Sequence, residues 1–122
     1  MAKILIVDDE AANRLLVATL LTYAGHQVLE AVNGDEGLRT AKDHCPDLII
    51  LDLFLPGMHG TQLVKQLRAD QGLHQTKIAL YTGTRVDSML EDFMQVHGVE
   101  HVIPKPSEPE DLLRIVADAL RS

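Results

Sequence analysis

The chain has 122 residues, 46% of them hydrophobic, which is enough to form one domain with a buried core. Its formal charge of −7 argues against direct nucleic-acid binding, which requires a clustered excess of Lys and Arg. Its single cysteine excludes an internal disulfide and no hydrophobic run approaches the roughly 20 residues of a membrane span, so we expect a cytoplasmic protein without membrane contact.

The N-terminal half opens with a predicted strand over residues 4–7, which precedes a predicted helix from Glu10 to Ala24. Gly25 follows this helix, where a left-handed C-terminal cap is expected. A second predicted strand, residues 28–29, leads to a second predicted helix, residues 34–44. Four apolar residues recur at helical spacing along the first helix: Ala12, Leu16, Leu20 and Tyr23.

The C-terminal half repeats the same alternation of short aliphatic runs and helical segments. The predicted strands are residues 48–51, 78–81 and 101–103. The predicted helices are residues 60–70, 86–97 and 108–120, the last beginning beside Pro109. The strands at 4–7, 48–51 and 78–81 are apolar on both faces, which is typical of covered strands in a parallel sheet.

Five strand–helix units in succession predict an α/β fold with a five-stranded parallel sheet, doubly wound, with helices on both faces. In such sheets the functional crevice lies outside the carboxyl ends of the strands. Polar residues follow four of the five predicted strands at that edge: Asp8, Asp9, Asp52, Thr82, Gly83 and Lys105. Three carboxylates, a hydroxyl and an ammonium group are therefore expected to converge.

Three carboxylates in one cleft repel one another unless a cation holds them together. All-oxygen ligation with few protein donors suits Mg²⁺, which prefers a site completed by substrate phosphate. An aspartate can attack phosphorus and form an aspartyl phosphate. Lys105 and Thr82 would bind phosphate oxygens, and Gly83 would let a backbone N–H approach closely.

Together these residues resemble the receiver domain of two-component response regulators. The resemblance covers essentially the whole chain, residues 1–122, as a single receiver domain. It implies the flavodoxin-like strand order 2-1-3-4-5. The motifs that carry it are Asp8-Asp9, Asp52 with Pro56-Gly57-Met58-His59-Gly60, Thr82-Gly83 and Lys105-Pro106.

The resemblance implies that Asp52 accepts a phosphoryl group from the phosphohistidine of a histidine kinase or phosphotransfer protein, or from acetyl phosphate. It implies that Asp9 binds Mg²⁺ directly, that Asp8 does so through water, and that Asp52 and the backbone carbonyl of Phe54 complete the protein ligands. Thr82 and Lys105 then bind phosphate oxygens, and the Lys105–Pro106 peptide bond is cis.

The same resemblance implies a downstream partner or a fused output domain, and a possible homodimer through the fourth and fifth strands and helices. Three positions depart from the family pattern, one of them Pro104, which directly precedes Lys105. Val102 stands where an aromatic residue usually reports phosphorylation, so the signal would be read without an aromatic rotor. His59 replaces the usual acidic residue before Gly60.

Other functions fit the same fold. An aspartyl-phosphate phosphohydrolase needs a second carboxylate two positions after the nucleophile, and that position holds Phe54. A flavin binder would meet repulsion from Asp8 and Asp9, and the chain has only two Tyr and two Phe to cover a ring. A receiver excised from a longer sensory or histidine kinase protein remains open. Taken alone, Asp8-Asp9 would be read as a helix N-cap pair.

Overall fold

The computed structural model describes residues 1–122 and contains five strands that alternate with five helices. The strands are β1 (Lys3–Val7), β2 (Gln27–Ala31), β3 (Leu48–Leu51), β4 (Lys77–Thr82) and β5 (His101–Pro104). The helices are α1 (Ala11–Tyr23), α2 (Gly34–His44), α3 (Gly60–Ala69), α4 (Ser88–Val96) and α5 (Pro109–Arg121). None of these helices is long and apolar enough to cross a membrane.

All five strands run parallel in one sheet with the order β2-β1-β3-β4-β5, which confirms the predicted order. The central strands β1, β3 and β4 are buried almost throughout, as their two-sided apolar composition predicts. Pro104, which cannot donate a backbone hydrogen bond, lies at the end of the edge strand β5.

The sheet has a hydrophobic layer on each face. Alternate residues of β1 show the division, because Ile4 and Ile6 pack in one layer and Leu5 and Val7 in the other. The first layer is completed by α1 and α5, and the second by α2, α3 and α4. The sheet is therefore doubly wound, and both faces of the central strands are covered by packed helices.

The apolar spacing noted for α1 does not mark its buried face. The side chains of α1 that are fully buried are Val17 and Leu21, whereas Leu16 is 49% exposed and Tyr23 is 88% exposed. The helix contains the apolar run Leu15-Leu16-Val17 and the pair Leu20-Leu21, so its sequence allows more than one apolar stripe. The position of α1 on the sheet selects one of them, and the other remains exposed.

Capping groups account for the ends of the helices. Asn33 caps α2 by accepting a hydrogen bond from the backbone N–H of Glu36 at 2.8 Å. Gly25 has φ +93°, the left-handed conformation expected after α1. The predicted start of α4 at Val86 was two residues early, because the Asp87 carboxylate accepts from Leu90 N–H at 2.8 Å and sets the N-cap there.

Candidate functional site

The carboxyl ends of β1 and β3 bring three aspartates together. Val7 and Leu51 are paired across these strands, so the residues that follow them emerge side by side. The backbone N–H of Asp52 also donates to Val7 O at 3.1 Å, which extends the pairing by one residue. One carboxylate oxygen each of Asp8, Asp9 and Asp52 lies within 4.8 Å of the others.

Two of these carboxylates are almost removed from solvent. Asp8 is 1% exposed and Asp52 is 7% exposed, whereas Asp9 is exposed at the mouth of the cluster. Thr82, at the end of β4, is 2% exposed and is the other buried polar residue of the chain. Buried charges need partners to compensate for lost hydration, so the cluster requires a nearby cation.

The side chain of Lys105 supplies one such cation. Its Nζ donates to Asp52 Oδ2 at 2.8 Å and to Asp8 Oδ2 at 3.1 Å. Burial alone would lower the pKa of Lys105, but the hydrogen bonds to Asp52 and Asp8, with the charges of both groups, raise it overall. Lys105 is therefore held as a cation between two carboxylates. The Lys105–Pro106 peptide bond is cis, as the resemblance implies.

The remaining oxygens of the site are held by local backbone groups. Asp8 Oδ1 accepts from the backbone N–H of Glu10 at 2.9 Å. Asp52 Oδ1 accepts from the backbone N–H of Phe54 at 3.0 Å. Thr82 Oγ1 accepts from the backbone N–H of Thr84 at 3.1 Å. Asp8, Asp52 and Thr82 are thus each fixed by the loop that follows them. The other carboxylate oxygen of Asp8 and of Asp52 accepts from Lys105.

Gly60 brings the loop after β3 directly against the Asp52 backbone. A Cβ at Gly60 would lie 2.5 Å from Asp52 O and 2.7 Å from Leu53 Cα, so no side chain fits there. His59 precedes this glycine and forms the N-cap of α3, with Nδ1 accepting from Thr61 N–H at 3.2 Å. A capping role accounts for the histidine at this position.

The structure therefore brings Asp8, Asp9, Asp52 and Lys105 into one cluster, as the sequence predicts. Thr82 is buried at the end of the neighbouring strand, and Gly83 follows it in an exposed position. Phe54 joins the site through its backbone N–H to Asp52, while its side chain is 59% exposed. The catalytic and ligand roles assigned to these residues remain predictions.

Sequence reasoning missed Tyr81. Its ring lies under the Lys105 ammonium, with Nζ 4.7 Å from the ring centroid, a cation–π arrangement. Burial raises the pKa of Tyr81, and the charge of Lys105 opposes part of that rise. Adjacent strand residues point to opposite faces, so Tyr81 next to Thr82 is predicted to point away from the site. The contact with the Tyr81 ring is made by the end of the long Lys105 side chain.

A family model of the response regulator receiver domain matches residues 4–117. The chain belongs to the receiver-domain family. Among curated relatives, this receiver domain is 32% identical to the protein PilH of Pseudomonas aeruginosa over 95% of each chain. It is 36% identical to the phosphate regulon transcriptional regulatory protein PhoB of the same species over 97% of this chain. It spans only 51% of PhoB, about half of that relative's length.

Solved structures agree with this assignment. The receiver domain superposes on the chemotaxis response regulator CheY4 of Vibrio cholerae with a TM-score of 0.90, at 32% identity and 98% coverage of both chains. It is also similar to the signal receiver domain of a signal transduction histidine kinase from Syntrophus aciditrophicus, with a TM-score of 0.86 and 28% identity. Its relatives thus include regulators of about its own length, a longer transcriptional regulatory protein and a receiver domain of a histidine kinase.

Proposed function

We propose that this receiver domain is a Mg²⁺-dependent phosphoacceptor switch in which Asp52 accepts a phosphoryl group from a histidine kinase or phosphotransfer protein. The observation that carries the proposal is the Lys105 bridge, with Nζ 2.8 Å from Asp52 Oδ2 inside the three-aspartate cluster. A nucleophilic carboxylate beside a fixed cation and further carboxylates has the charge pattern that phosphoryl transfer needs.

In the transfer step, a carboxylate oxygen of Asp52 forms a bond to phosphorus. The bond from phosphorus to the donor, an imidazole nitrogen or an acetate oxygen, breaks and its electron pair stays with the donor. The Lys105 ammonium, which donates to the Asp52 carboxylate before transfer, would donate to a phosphoryl oxygen after it. The Thr82 hydroxyl would donate to another phosphoryl oxygen. Gly83 follows Thr82 in an exposed position, and its backbone N–H would donate to a further phosphoryl oxygen.

The donor set of the cluster fits Mg²⁺. Carboxylate oxygens of Asp8, Asp9 and Asp52 lie close enough to share one ion, and exposure at Asp9 leaves room for water. We assign Asp9 and Asp52 as direct ligands, Asp8 as a ligand through water and the Phe54 carbonyl as the fourth protein donor. When bound, Mg²⁺ would neutralise the carboxylates and the charge that develops on the phosphoryl oxygens.

The phosphorylated state is transmitted to a partner or a fused output domain. Val102 is half-buried and packs against the hydrophobic layer that holds α4, so it has neither the size nor the space of an aromatic rotor. The loop that begins at Thr84, hydrogen-bonded to Thr82, is the nearer route for the signal. The face formed by β4, α4, β5 and α5 is the candidate surface for this output and for a homodimer.

The hypothesis of a phosphohydrolase fails because the chain lacks the general acid that such an enzyme needs. The residue two positions after Asp52 is Phe54, whose exposed ring cannot transfer a proton. A receiver attached to a sensory or histidine kinase protein is the second candidate, and it is favoured by the similarity to a kinase receiver domain. Both candidates share the phosphoacceptor chemistry and differ in what the domain controls.

The test is incubation with acetyl phosphate and Mg²⁺ followed by intact-mass measurement. We expect a gain of one phosphoryl group that EDTA prevents and that the Asp52→Asn variant lacks. Asp43→Asn, an exposed carboxylate on α2, is the matched control and should be labelled like the wild type. Undiminished labelling of Asp52→Asn, or equal labelling in EDTA, would contradict the assignment.

A further inference from the structure

An apolar groove lies between α3 and α4 on the same edge of the molecule as the aspartate cluster. The loops that follow β3 and β4 form its ends, and its volume is about 430 Å³. The apolar part of its lining is Leu53, Phe54, Met89, Leu90 and Phe93. These five residues define the floor of what we call the α3–α4 groove.

The floor of the α3–α4 groove contains two aromatic side chains and a methionine. Both phenylalanines of the protein lie in it, although the whole sequence has only two. Phe54 is 59% exposed and Met89 is 79% exposed, so neither contributes fully to the hydrophobic layers beneath. Aromatic residues and methionine are enriched in protein–protein interfaces, where they become buried on binding.

The rim of the α3–α4 groove carries unpaired positive charge. Lys65 on α3 and Arg85 in the loop before α4 line opposite sides, and neither takes part in an ion pair. The rim also includes one carboxylate, Asp87, whose Oδ1 accepts from the backbone N–H of Leu90 at 2.8 Å, so two cations against one anion leave the rim net positive. In a protein with a net charge of −7, two free cations beside an apolar floor favour an acidic ligand.

We propose that the α3–α4 groove binds an acidic amphipathic helix of a partner protein, with its apolar side chains on Phe54, Met89 and Phe93 and its carboxylates toward Lys65 and Arg85. A groove between two helices suits a third helix that lays its apolar face into it. A second copy of this chain is the weaker occupant, because bringing two bodies of charge −7 together opposes association.

The groove is also joined to the proposed phosphorylation site, and this part of the inference rests on the proposed function. Phe54 lines one side of the groove, and its backbone N–H donates to Asp52 Oδ1 at 3.0 Å. Thr84 lines the other side, and its backbone N–H donates to Thr82 Oγ1 at 3.1 Å. A phosphoryl group on Asp52 would engage both of these side chains. Reversible binding of a phosphoryl mimic at Asp52 and binding of the helix should therefore change each other's affinity by the same factor.

Binding itself can be tested without phosphorylation. The probe is a fluorescent peptide with Leu and Phe on one helical face and Glu on the other, titrated with the full chain in EDTA. We expect saturable binding with a Kd on the order of 10–100 μM that weakens as salt is raised. A peptide with Lys in place of every Glu should bind far more weakly, and so should a scrambled peptide of the same charge.

Matched variants locate the site. Met89→Ser and the charge reversals Lys65→Glu and Arg85→Glu should each weaken peptide binding at least about fivefold, the equivalent of about 1 kcal/mol. Val96→Ser is the control for Met89→Ser, since Val96 is 77% exposed on the same helix. Arg39→Glu, an exposed cation on α2 without an ion pair, is the control for charge. Equal effects of test and control variants, or no saturable binding, would overturn the proposal.

Coupling is measured with Mg²⁺ and beryllofluoride, which mimics the aspartyl phosphate. We expect the peptide Kd to change at least about threefold, and the change to be absent in Asp52→Asn. An unchanged Kd in a protein that acetyl phosphate does label would overturn the coupling but leave the groove as a binding site. A protein that is never labelled but still binds the peptide would contradict the proposed function alone.

Discussion

Individual residues of the site make contacts so short that a substitution would displace neighbouring atoms. The Asp52 carboxylate has its two oxygens held by different parts of the chain, Oδ1 by the next loop and Oδ2 by Lys105. Its backbone in turn lies against Gly60. The Asp52 side chain is thus held both by the loop that directly follows it and by a residue far away in the sequence. Substitutions of nearby residues should separate these two contributions to the site.

Gly60→Ala should strongly destabilise the protein, whereas Gly83→Ala should not. A Cβ at Gly60 would sit 2.5 Å from Asp52 O, so the backbone must move. A Cβ at Gly83 would meet Lys105 O at 3.4 Å, an ordinary contact. We expect a loss of about 1–3 kcal/mol for Gly60→Ala, typical of overpacking, and less than about 0.5 kcal/mol for Gly83→Ala. Urea unfolding of both variants measures the difference, and equal losses would contradict the close approach.

Tyr81 should act as a positioning residue for Lys105. Its ring faces the ammonium at 4.7 Å, so replacement by Leu removes the ring and Phe retains it. A cation–π contact contributes about 1 kcal/mol, so we expect Tyr81→Leu to slow labelling by acetyl phosphate roughly fivefold relative to Tyr81→Phe. Melting curves would show that both variants are folded at the assay temperature. Equal labelling rates for Leu and Phe variants would leave Tyr81 a packing residue only.

At the scale of elements, the strands are joined beyond their ladder hydrogen bonds. The connection from α1 to β2 is held to the start of β1 by His26, whose Nδ1 accepts from the backbone N–H of Ala2 at 3.1 Å. The backbone N–H of Gln27 donates to Ala2 O at 2.9 Å in the same place. This end of the sheet lies opposite the aspartate cluster, so it can be tested without disturbing the site.

His26 should make the stability of the fold depend on pH. Burial lowers the pKa of His26, and the positive charge of the N-terminus lowers it further. The unfolded chain therefore binds a proton more readily than the folded one, so stability rises with pH. The contribution is fully present above the unfolded pKa of about 6.5 and is lost as pH falls toward the folded value.

The measurement is urea unfolding at about pH 7.5 and about pH 5.5, on either side of the unfolded histidine value. We expect the wild type to lose more stability on acidification than His26→Asn, whose side-chain oxygen can accept the same hydrogen bond without titrating. Because His26 is only partly buried and solvent screens its charge, the difference should be smaller than one full hydrogen bond, less than about 1 kcal/mol. The other histidines are common to both proteins and cancel. An identical loss in both proteins would show that His26 does not titrate on unfolding.

At the scale of the whole molecule, the aspartate cluster links ion binding to folding. Its members come from the ends of β1 and β3, so the site exists only when the sheet is assembled. An ion that binds the folded state alone stabilises it by mass action. We expect Mg²⁺ at ten times its Kd to add about 1.4 kcal/mol and to raise Tm by a few degrees.

The control for this effect is a pair of single carboxylate substitutions. Asp9→Asn removes a proposed direct ligand that is exposed, and it should abolish most of the Mg²⁺-dependent rise in Tm. Asp43→Asn, exposed on α2, should keep the full rise. A wild type whose Tm does not respond to Mg²⁺ would rule out this cluster as a metal site.

Local sequence patterns were sufficient to predict the order of the elements and the end of the sheet that carries the polar residues. Aliphatic runs and helical spacing are local patterns, and β-then-α alternation leaves few topologies open. Because parallel strands share their direction, residues that follow strands must meet at one edge. Asp8, Asp52 and Lys105 could therefore be placed together before any contact was known.

Packing between elements, which local patterns do not specify, selects which of several compatible surfaces each element buries. The sequence of α1 allows more than one apolar stripe, and packing on the sheet buried Val17 and Leu21 rather than Leu16 and Tyr23. The contact of Lys105 with Tyr81 and the α3–α4 groove likewise join segments that are far apart or that local patterns place on separate faces. In each case the apolar periodicity of the sequence defines the possible buried faces of an element, and the elements packed against it determine which face is covered.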